Sequence, residues 1–449
     1  MMTIEEAVSH ATDTHACVIG ENVLGRAPEI LKEQFPGAAK ALIVADPRTW
    51  KAAGEAVDSL LKATGIETVR HILEPGGAEF HPEYRYVKEI KEVVATNSHL
   101  STLNSQLVPL AVGSGVINDL VKCAAGELGV PYMVVATAAS VDGYTSFGAA
   151  IVSPNGVKET YECPAPRAVV ADVDVMLTAP KHMAAFGYAD LLAKSPAGAE
   201  WILAAEIGAT EWNEVGWRIV QEPFPEAVAD AAGVANGDRR AFVKLAEGLM
   251  LSGFAMQHVG NSRPASGAEH RFSHILDMTH HTFNGRCCSH GEQVGVFTLF
   301  TTRFIEELLK VDWTMIDIER CVSAWPEWEP DGRQLAIDTF AGTDFPELGV
   351  RESVKKWQTK DELRATLKRA QERWSSIVSR IRAQMLPSAE VERRLKAVGS
   401  PSAPEEIGVA KDFATKNARY AMLMRFRYNV LDFAFRLGRL DELAAAATR

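Results

Sequence analysis

The pattern of apolar and polar positions differs between the first and the second part of the chain. In residues 1–177, short apolar runs at 16–20, 41–45, 67–72, 107–112 and 132–136 alternate with amphipathic segments such as 49–63 and 83–95. Runs of this length with helical patterns between them predict a parallel sheet wrapped by helices. A β-rich stretch at 149–153, followed by turn residues at 154–156, predicts a hairpin.

From residue 178 onward the pattern becomes helical. Apolar residues recur at helical spacing in long segments at 184–208, 240–259, 291–310, 361–385 and 411–438. We therefore predict two domains, an α/β domain over 1–177 and an all-helical domain over 178–449.

Composition narrows the function classes. A net charge of -11 over 449 residues, without a long basic run, argues against a nucleic-acid-binding surface. The first twenty residues lack the apolar core of a secretion signal, and no stretch reaches the length of a membrane span. Six cysteines are too few for a disulfide framework, so we expect a cytoplasmic protein.

A glycine-containing loop follows the fourth apolar run. It comprises Gly113, Ser114, Gly115, Val116 and Ile117, and it leads through Asp119 into a predicted helix at 117–128. A strand, a small-residue turn and a helix N-terminus together make an anion site, although the same pattern is also typical of a tight turn. Asp46 ends an earlier run and could bind a ribose hydroxyl or initiate a turn before Pro47. Together these features favour nucleotide binding without excluding the structural interpretation.

A polar segment follows the fifth apolar run. Thr137, Ser140 and Ser146 are small donors that could contact a pyrophosphate or a nicotinamide amide, and Asp142 could accept a substrate hydroxyl. The alternative is a loop whose side chains bond their own backbone.

A carboxylate and three histidines are candidates for a metal site. His270 and His274 lie four apart, His290 follows twenty residues after His270, and Asp190 lies upstream in an apolar segment, where we expect it in the first turns of a helix. Asp, His and His converging on one ion would leave coordination positions open for a substrate. Incidental histidines and a helix-dipole carboxylate are the structural alternatives.

Several strings in the sequence resemble the sn-glycerol-1-phosphate dehydrogenases, within the iron-containing alcohol dehydrogenase and glycerol dehydrogenase superfamily. They are GSGVINDLVK, ATAASVDGY, GYADLLAK, SRPASGAEHRFSH, SHGEQVGV, LPSAE and RFRYNVLDFAFRLG. Three departures are Ala139, where the family usually has proline, the large polar residues of 256–260, and the histidines and cysteines of 276–289.

The resemblance implies a dehydroquinate synthase-like fold with the site in a cleft between an N-terminal dinucleotide-binding domain and a C-terminal metal-binding domain. It implies a metal held by Asp190, His270 and His290, and substrate contacts from Asp142, Asp190 and His274. Asp46 matches the position that favours NAD over NADP. The implied cofactor contacts are Gly113, Ser114, Gly115, Val116, Ile117, Asp119, Thr137, Ala138, Ala139, Ser140 and Ser146.

The implied reaction is the NAD(P)H-linked reduction of dihydroxyacetone phosphate to sn-glycerol 1-phosphate, with Zn²⁺ as the first choice of metal and Ni²⁺ or Fe²⁺ as alternatives. His274 or an ordered water would relay the proton. Arg263, Arg271 and Lys194 are candidates for binding the phosphate, with surface arginines as the alternative interpretation. A homo-oligomer is a family expectation.

Three other functions stay open at this stage. They are a polyol dehydrogenase acting on an unphosphorylated substrate, a 3-dehydroquinate synthase-like cyclase, and a degenerate member that binds nucleotide without turnover.

Overall fold

A computed structural model describes residues 1–76, 80–98, 106–156 and 158–449. The strands are β1 (Ala16–Gly20), β2 (Ala38–Ala45), β3 (Glu67–Ile72), β4 (Gln106–Gly113), β5 (Met133–Ala136), β6 (Ala149–Val152), β7 (Lys158–Tyr161), β8 (Ala168–Asp172), β9 (Thr282–Phe283) and β10 (Arg286–Cys287).

The α-helices are distributed over the whole chain. They are α1 (Ile4–His10), α2 (Ala27–Gln34), α3 (Pro47–Thr49), α4 (Glu55–Ala63), α5 (Tyr84–Ser98), α6 (Gly115–Leu128), α7 (Val173–Met176), α8 (Lys181–Leu192), α9 (Lys194–Glu206), α10 (Glu214–Gln221), α11 (Phe224–Ala227), α12 (Ala231–Asn236), α13 (Arg239–Val259), α14 (Ala268–Met278), α15 (His290–Leu308), α16 (Ile318–Ala324), α17 (Arg333–Phe340), α18 (Leu348–Ser353), α19 (Lys360–Gln384), α20 (Ser388–Val398), α21 (Phe413–Leu423), α22 (Val430–Arg436) and α23 (Leu440–Ala447). Short 3₁₀ or π turns lie at Leu24–Arg26, Trp50–Gly54, Trp313–Met315, Trp328–Gly332, Val354–Lys356 and Pro404–Ile407.

The main sheet is parallel, as predicted. Its six strands are ordered β1-β8-β5-β4-β2-β3, and every neighbouring pair runs parallel. The five predicted runs all form strands of this sheet, whereas β8, which lies between β1 and β5, was not predicted. The predicted hairpin also forms, because β6 pairs antiparallel with β7.

By contacts, the chain forms two compact units of three segments each. The first comprises Met1–Leu191, Val215–Ser262 and Ala397–Gly399, and the second comprises Leu192–Glu214, Arg263–Lys396 and Ser400–Arg449. The first unit contains the main sheet, whose buried face packs apolar residues of α2 and α4 against β2, β4 and β5. The predicted domain boundary at 177 stays a prediction.

The second unit is helical apart from one small hairpin. In it α14 packs against α15, with Phe272 and Phe297 in ring contact at 5.2 Å. The second part is helical as predicted and contains one small hairpin, in which β9 and β10 pair antiparallel around Asn284 and Gly285, which both have positive φ.

Two long predicted helices are each two helices. The segment 184–208 contains α8 and α9, which separate at Ala193. Pro196 has no N–H to donate to the carbonyl of Leu192, so a continuous helix would lose that hydrogen bond. The segment 411–438 contains α21 and α22, and α22 begins where the Asn429 side chain accepts hydrogen bonds from the N–H groups of Leu431 and Asp432.

No helix in the described ranges combines the length and the apolar character that crossing a bilayer requires.

Candidate active site

The carboxyl ends of three neighbouring strands bring the predicted nucleotide-contacting segments to one edge of the sheet. Gly113 at the end of β4 is in register with Ala136 at the end of β5, and the N–H of Thr137 donates to the Gly113 carbonyl at 3.1 Å. On the other side of β4, β2 ends one residue before Asp46. Ligands bind at this kind of edge in parallel α/β sheets.

The glycine loop leaves no room for a side chain at its first position. A Cβ on Gly113 would lie 2.5 Å from the Cβ of Ile117, and one on Gly115 would lie 3.2 Å from a methyl group of Val141. Ser114 is the N-cap residue of α6, but its side chain makes no capping hydrogen bond. The first amides of this 14-residue helix therefore lack a side-chain cap, an arrangement that suits an anionic ligand.

Three polar residues of α6 make hydrogen bonds to the segments that flank β5 and to β6. The fully buried Lys122 ammonium donates to the carbonyls of Gly143, Ser146 and Gly148 at 2.8, 2.9 and 3.1 Å. Asn118 accepts a hydrogen bond from the Tyr132 hydroxyl at 3.0 Å. Asp119 accepts the N–H of Ala150, so the described contacts of this predicted cofactor residue are with the β6 strand and with Lys122.

The loop that follows β5 is buried. At most 8% of the surface is exposed in each of its predicted cofactor residues, Thr137, Ala138, Ala139, Ser140 and Ser146. The Tyr144 hydroxyl donates to the Ala138 carbonyl at 2.8 Å, and the Ser146 hydroxyl donates to the Gly143 carbonyl at 3.1 Å. The Ser146 bond lies within the loop, as expected if the loop's side chains bond to its own backbone.

Asp46 makes the contacts of a helix cap. Its Oδ1 accepts the N–H groups of Arg48 and Thr49 at 2.7 and 2.9 Å, and the Asp46 N–H in turn donates to the Thr49 hydroxyl. Its position at the β2 end also fits the predicted ribose contact, which stays a prediction.

Asp190 lies in the last turn of α8, not in the first turns as expected. The helix approaches the β5 loop closely, because a Cβ on Gly187 would lie 2.1 Å from the Ala139 carbonyl oxygen. Asp190 Oδ2 accepts the N–H of Asp142 at 3.2 Å, and the Asp142 carboxylate accepts the Ser252 hydroxyl at 2.8 Å. The Asp190 carboxylate, which is fully buried, is thus oriented by the loop that carries the predicted substrate contact.

Gln257, near the end of α13, bonds to two other segments of the first unit. The buried Gln257 accepts the N–H of Asp13 at 3.1 Å and donates to the Thr14 hydroxyl at 2.9 Å and to the Thr145 carbonyl. The large polar side chain therefore links the N-terminal segment to the loop after β5.

Two histidines of the second unit lie on adjacent helices. His270 is in the first turn of α14 and His290 is the first residue of α15, with ring centroids 5.2 Å apart. His270 Nδ1 lies 2.9 Å from Glu269 Oε1, and His290 Nδ1 lies 3.4 Å from the Ser273 hydroxyl. Hydrogen bonds at Nδ1 direct Nε2 toward a metal, and carboxylate partners of this kind are typical of metal-binding histidines.

A second carboxyl group, that of Glu200, lies close to Glu269. Glu200 Oε1 accepts the N–H of Ala268 at 3.1 Å, and a Cβ on Gly267 would lie 2.5 Å from Glu200 Oε2 and 2.8 Å from Glu269 Oε2. Burial, followed by the charge of Glu269, raises the pKa of Glu200 to about 8. At neutral pH Glu200 therefore carries a proton.

Asp190, His270 and His290 form a group of potential ligands. Each offers one ligand atom, and these three atoms all lie within 4.8 Å of one another. One carboxylate oxygen and two imidazole nitrogens suit Zn²⁺, Fe²⁺ or Ni²⁺. His274, one turn beyond His270 on α14, is half-buried and is not a member of this group.

The arginines proposed for the phosphate are not on the surface, and they donate to main-chain carbonyls. Arg263 donates to the Tyr428 carbonyl at 2.5 Å, and Arg271 donates to the carbonyls of Met422, at 3.1 Å, and Arg427. Both are buried, as is Lys194 at the start of α9.

Sequence reasoning missed the residues that support the site. Lys122, Gly187, Ser252, Glu200 and Glu269 all act on neighbouring backbone or side chains. Only Lys122 gave a signal that could have been used, because a lysine among apolar residues of a helix must find partners when it is buried.

The chain shares its sequence pattern with proteins of one family. The model of the iron-containing alcohol dehydrogenase family matches residues 18–180. A glycerol-1-phosphate dehydrogenase [NAD(P)+] from Bacillus licheniformis is 31% identical over 359 residues, which span 77% of this chain and 85% of the relative. The protein of the same name from Pyrococcus horikoshii is 33% identical, with 63% of this chain and 76% of the relative covered.

Solved structures show the same fold. Maleylacetate reductase from Agrobacterium tumefaciens superimposes with a TM-score of 0.60 at 15% identity, covering 98% of both chains. Glycerol dehydrogenase from Schizosaccharomyces pombe superimposes with a TM-score of 0.57 at 16% identity, covering 97% of this chain and 91% of the other. The predicted fold class and family resemblance are confirmed, and the chain belongs to the glycerol-1-phosphate dehydrogenase family of the iron-containing alcohol dehydrogenases.

Proposed function

We propose that the protein catalyses the metal-dependent, NAD(P)H-linked reduction of dihydroxyacetone phosphate to sn-glycerol 1-phosphate and the reverse oxidation. The observation that carries the proposal is the grouping of Asp190, His270 and His290 around one point in a chain of this family. The names of the curated relatives supply the substrate, and the donor set supports the metal.

The nucleotide would occupy the carboxyl edge of the sheet. The uncapped start of α6 suits the pyrophosphate, and the buried loop that Lys122 holds suits the nicotinamide end. Asp46 follows the neighbouring strand, where a carboxylate accepts ribose hydroxyls and repels a 2′-phosphate. This arrangement supports NADH as the preferred cofactor.

Asp190, His270 and His290 would hold the divalent ion, with Zn²⁺ as the first choice. When bound, such an ion supplies Lewis-acid stabilisation of the negative charge that develops on the substrate oxygen during hydride transfer. The Asp142 N–H fixes one oxygen of Asp190, and Glu269 fixes the His270 ring. His274, on the same helix as His270, would supply or accept the proton of the substrate hydroxyl.

The test is an NADH oxidation assay with dihydroxyacetone phosphate, with dihydroxyacetone and without substrate, before and after chelation and metal re-addition. We expect turnover that prefers the phosphate ester and is lost on chelation. Equal rates on the two ketones would favour a polyol dehydrogenase, and NADH binding without turnover would favour a degenerate member. Release of inorganic phosphate from a phosphorylated heptulosonate, without net oxidation of NADH, would favour a cyclase.

The variants Asp190→Asn and His290→Gln should each lose the bound metal, as measured by elemental analysis, while NADH binding is retained.

A homo-oligomer and a cytoplasmic location also remain proposals. Light scattering of the purified protein tests the oligomeric state.

A further inference from the structure

The turn between α21 and α22 packs against the start of α14. Two buried arginines make this contact, Arg263 through the Tyr428 carbonyl and Arg271 through the Arg427 carbonyl. Their guanidinium groups therefore position the backbone of residues 427 and 428. Because each donates to main-chain oxygens, the two side chains act as a rigid support for this turn.

The Arg427 side chain extends from this turn toward the segment that precedes α14. Its Nη2 donates to the Ser266 hydroxyl at 2.7 Å, and its side chain is half-buried. Ser266 lies two residues before α14, and His270 is in the first turn of that helix. The Arg427 guanidinium is thus held beside the segment that leads into the helix of a candidate metal ligand.

The charges around Arg427 favour an anion. Burial lowers its pKa, and the positive charges of Arg263, Arg271 and Arg425 lower it further. Two carboxylates offset part of this charge, Asp432 at 3.8 Å from Arg271 and Glu352 beside Arg425. Because guanidinium groups stay charged, the four arginines still make this part of the second unit attractive to an anion.

We propose that Arg427 binds the phosphate group of the substrate, and that Arg263 and Arg271 act as positioning residues for it. This inference rests on the proposed function. A phosphate dianion would accept charge-assisted hydrogen bonds from the Arg427 guanidinium and would compensate the positive charges around it. The arginines named from sequence are then the support, and the residue that contacts the substrate lies over 150 positions downstream.

The test compares Arg427→Gln with the wild-type holoenzyme on both ketones. We expect the KM for dihydroxyacetone phosphate to rise about 10- to 100-fold, with kcat/KM for dihydroxyacetone unchanged within about twofold. Competitive inhibition by inorganic phosphate should be lost in parallel. Arg427→Lys, which keeps the charge but not the forked geometry, should give an intermediate KM.

Arg393→Gln is the matched control, because that exposed guanidinium pairs with Glu390 on the α20 surface. It should leave both substrates unaffected. If Arg427→Gln does not fold, Ser266→Ala keeps the test open, since it removes only the hydroxyl that orients Arg427 and should raise the phosphate-ester KM several-fold. An equal loss of kcat/KM on both ketones in these variants would overturn the inference.

The outcome can be separated from the fate of the proposed function. Should the wild-type enzyme fail to reduce dihydroxyacetone phosphate, calorimetric titration with inorganic phosphate still decides whether Arg427 binds an anion. Binding that is lost in Arg427→Gln but not in Arg393→Gln would support the site. Binding that is equal in all three proteins would overturn it.

Discussion

Gly187 is the position at which the smallest change should disturb the site most. A Cβ at this residue would lie 2.1 Å from the Ala139 carbonyl oxygen, 2.8 Å from its carbonyl carbon and 3.0 Å from the Ser140 Cα. All three are backbone atoms, so no side-chain rotation can relieve the overlap in Gly187→Ala. Either α8 or the loop after β5 must move.

The size of the movement follows from the contact distance. Restoring an ordinary separation of 3.4 Å requires a shift of about 1.3 Å. Overpacking of this kind costs about 1–3 kcal/mol of unfolding free energy. Asp190 lies three residues further along α8, and its carboxylate is bonded to the same loop. Since a displacement of about 1 Å in a catalytic arrangement can cost about 100-fold in rate, we expect kcat/KM to fall by about that factor.

Three measurements test this prediction. Initial rates of NADH oxidation give kcat/KM, fluorescence titration gives the NADH dissociation constant, and urea unfolding gives the stability. Gly25→Ala is the control, because Gly25 is exposed and a methyl group there would meet no atom within 4 Å. If Gly187→Ala keeps wild-type kcat/KM within about twofold, the close approach of α8 to the loop does not position the site.

Three further predictions concern other residues. Lys122→Met removes the ammonium that donates to three loop carbonyls, of which Gly143 keeps the Ser146 hydroxyl as a donor. Unfolding free energy should therefore fall by about 2–4 kcal/mol and NADH affinity should weaken, whereas Lys62→Met, at an exposed lysine that pairs with Asp58, should change neither. Urea unfolding and fluorescence titration check this. Asp46→Ser keeps an N-cap oxygen but removes the negative charge. It should raise the ratio of kcat/KM for NADPH to kcat/KM for NADH about 10-fold. An unchanged ratio would show that Asp46 does not determine the cofactor preference. Because burial and then Glu269 raise the pKa of Glu200 from 4.5 to about 8, the folded state keeps a proton that the unfolded chain releases, and stability falls as pH rises between those values. Glu200→Gln should flatten that part of the stability curve measured by urea unfolding, and a parallel fall in both proteins would contradict the assignment.

The parts of the fold that depend on local pattern were predictable from the sequence. Five strands of the main sheet and the hairpin follow apolar runs and turn residues. The unpredicted strand β8 is only five residues long and gains its partners from β1 and β5, far away in sequence. The end of α8 depends on a single missing N–H at Pro196, which moves Asp190 from a helix start to a helix end.

In the candidate site, too, some residues could be predicted from the sequence and others could not. Residues that would touch a ligand, such as Asp190, His270 and Gly113, have side chains or spacings that the sequence displays directly. The residues that orient them work through main-chain atoms of distant segments, as Lys122 does with Gly143 and Arg271 with Arg427. Such a contact leaves no residue-type pattern at the accepting end, because every residue carries a carbonyl group.

This distinction also bears on position 139, where the family resemblance predicts proline and the chain has Ala139. The contact that fixes the loop against α8 involves the Ala139 carbonyl and the Ser140 Cα, and both atoms exist whichever of the two residues occupies position 139. The residue that geometry restricts is Gly187, on the opposite side of the contact. The same asymmetry holds where Lys122 meets the loop carbonyls and where Arg263 meets the Tyr428 carbonyl. In each of these three contacts, one residue must have a particular side chain, or no side chain in the case of glycine, while its partner contributes only main-chain atoms. Substitutions of Gly187, Lys122 and Arg263 should therefore be far less tolerated than substitutions of the residues that they contact.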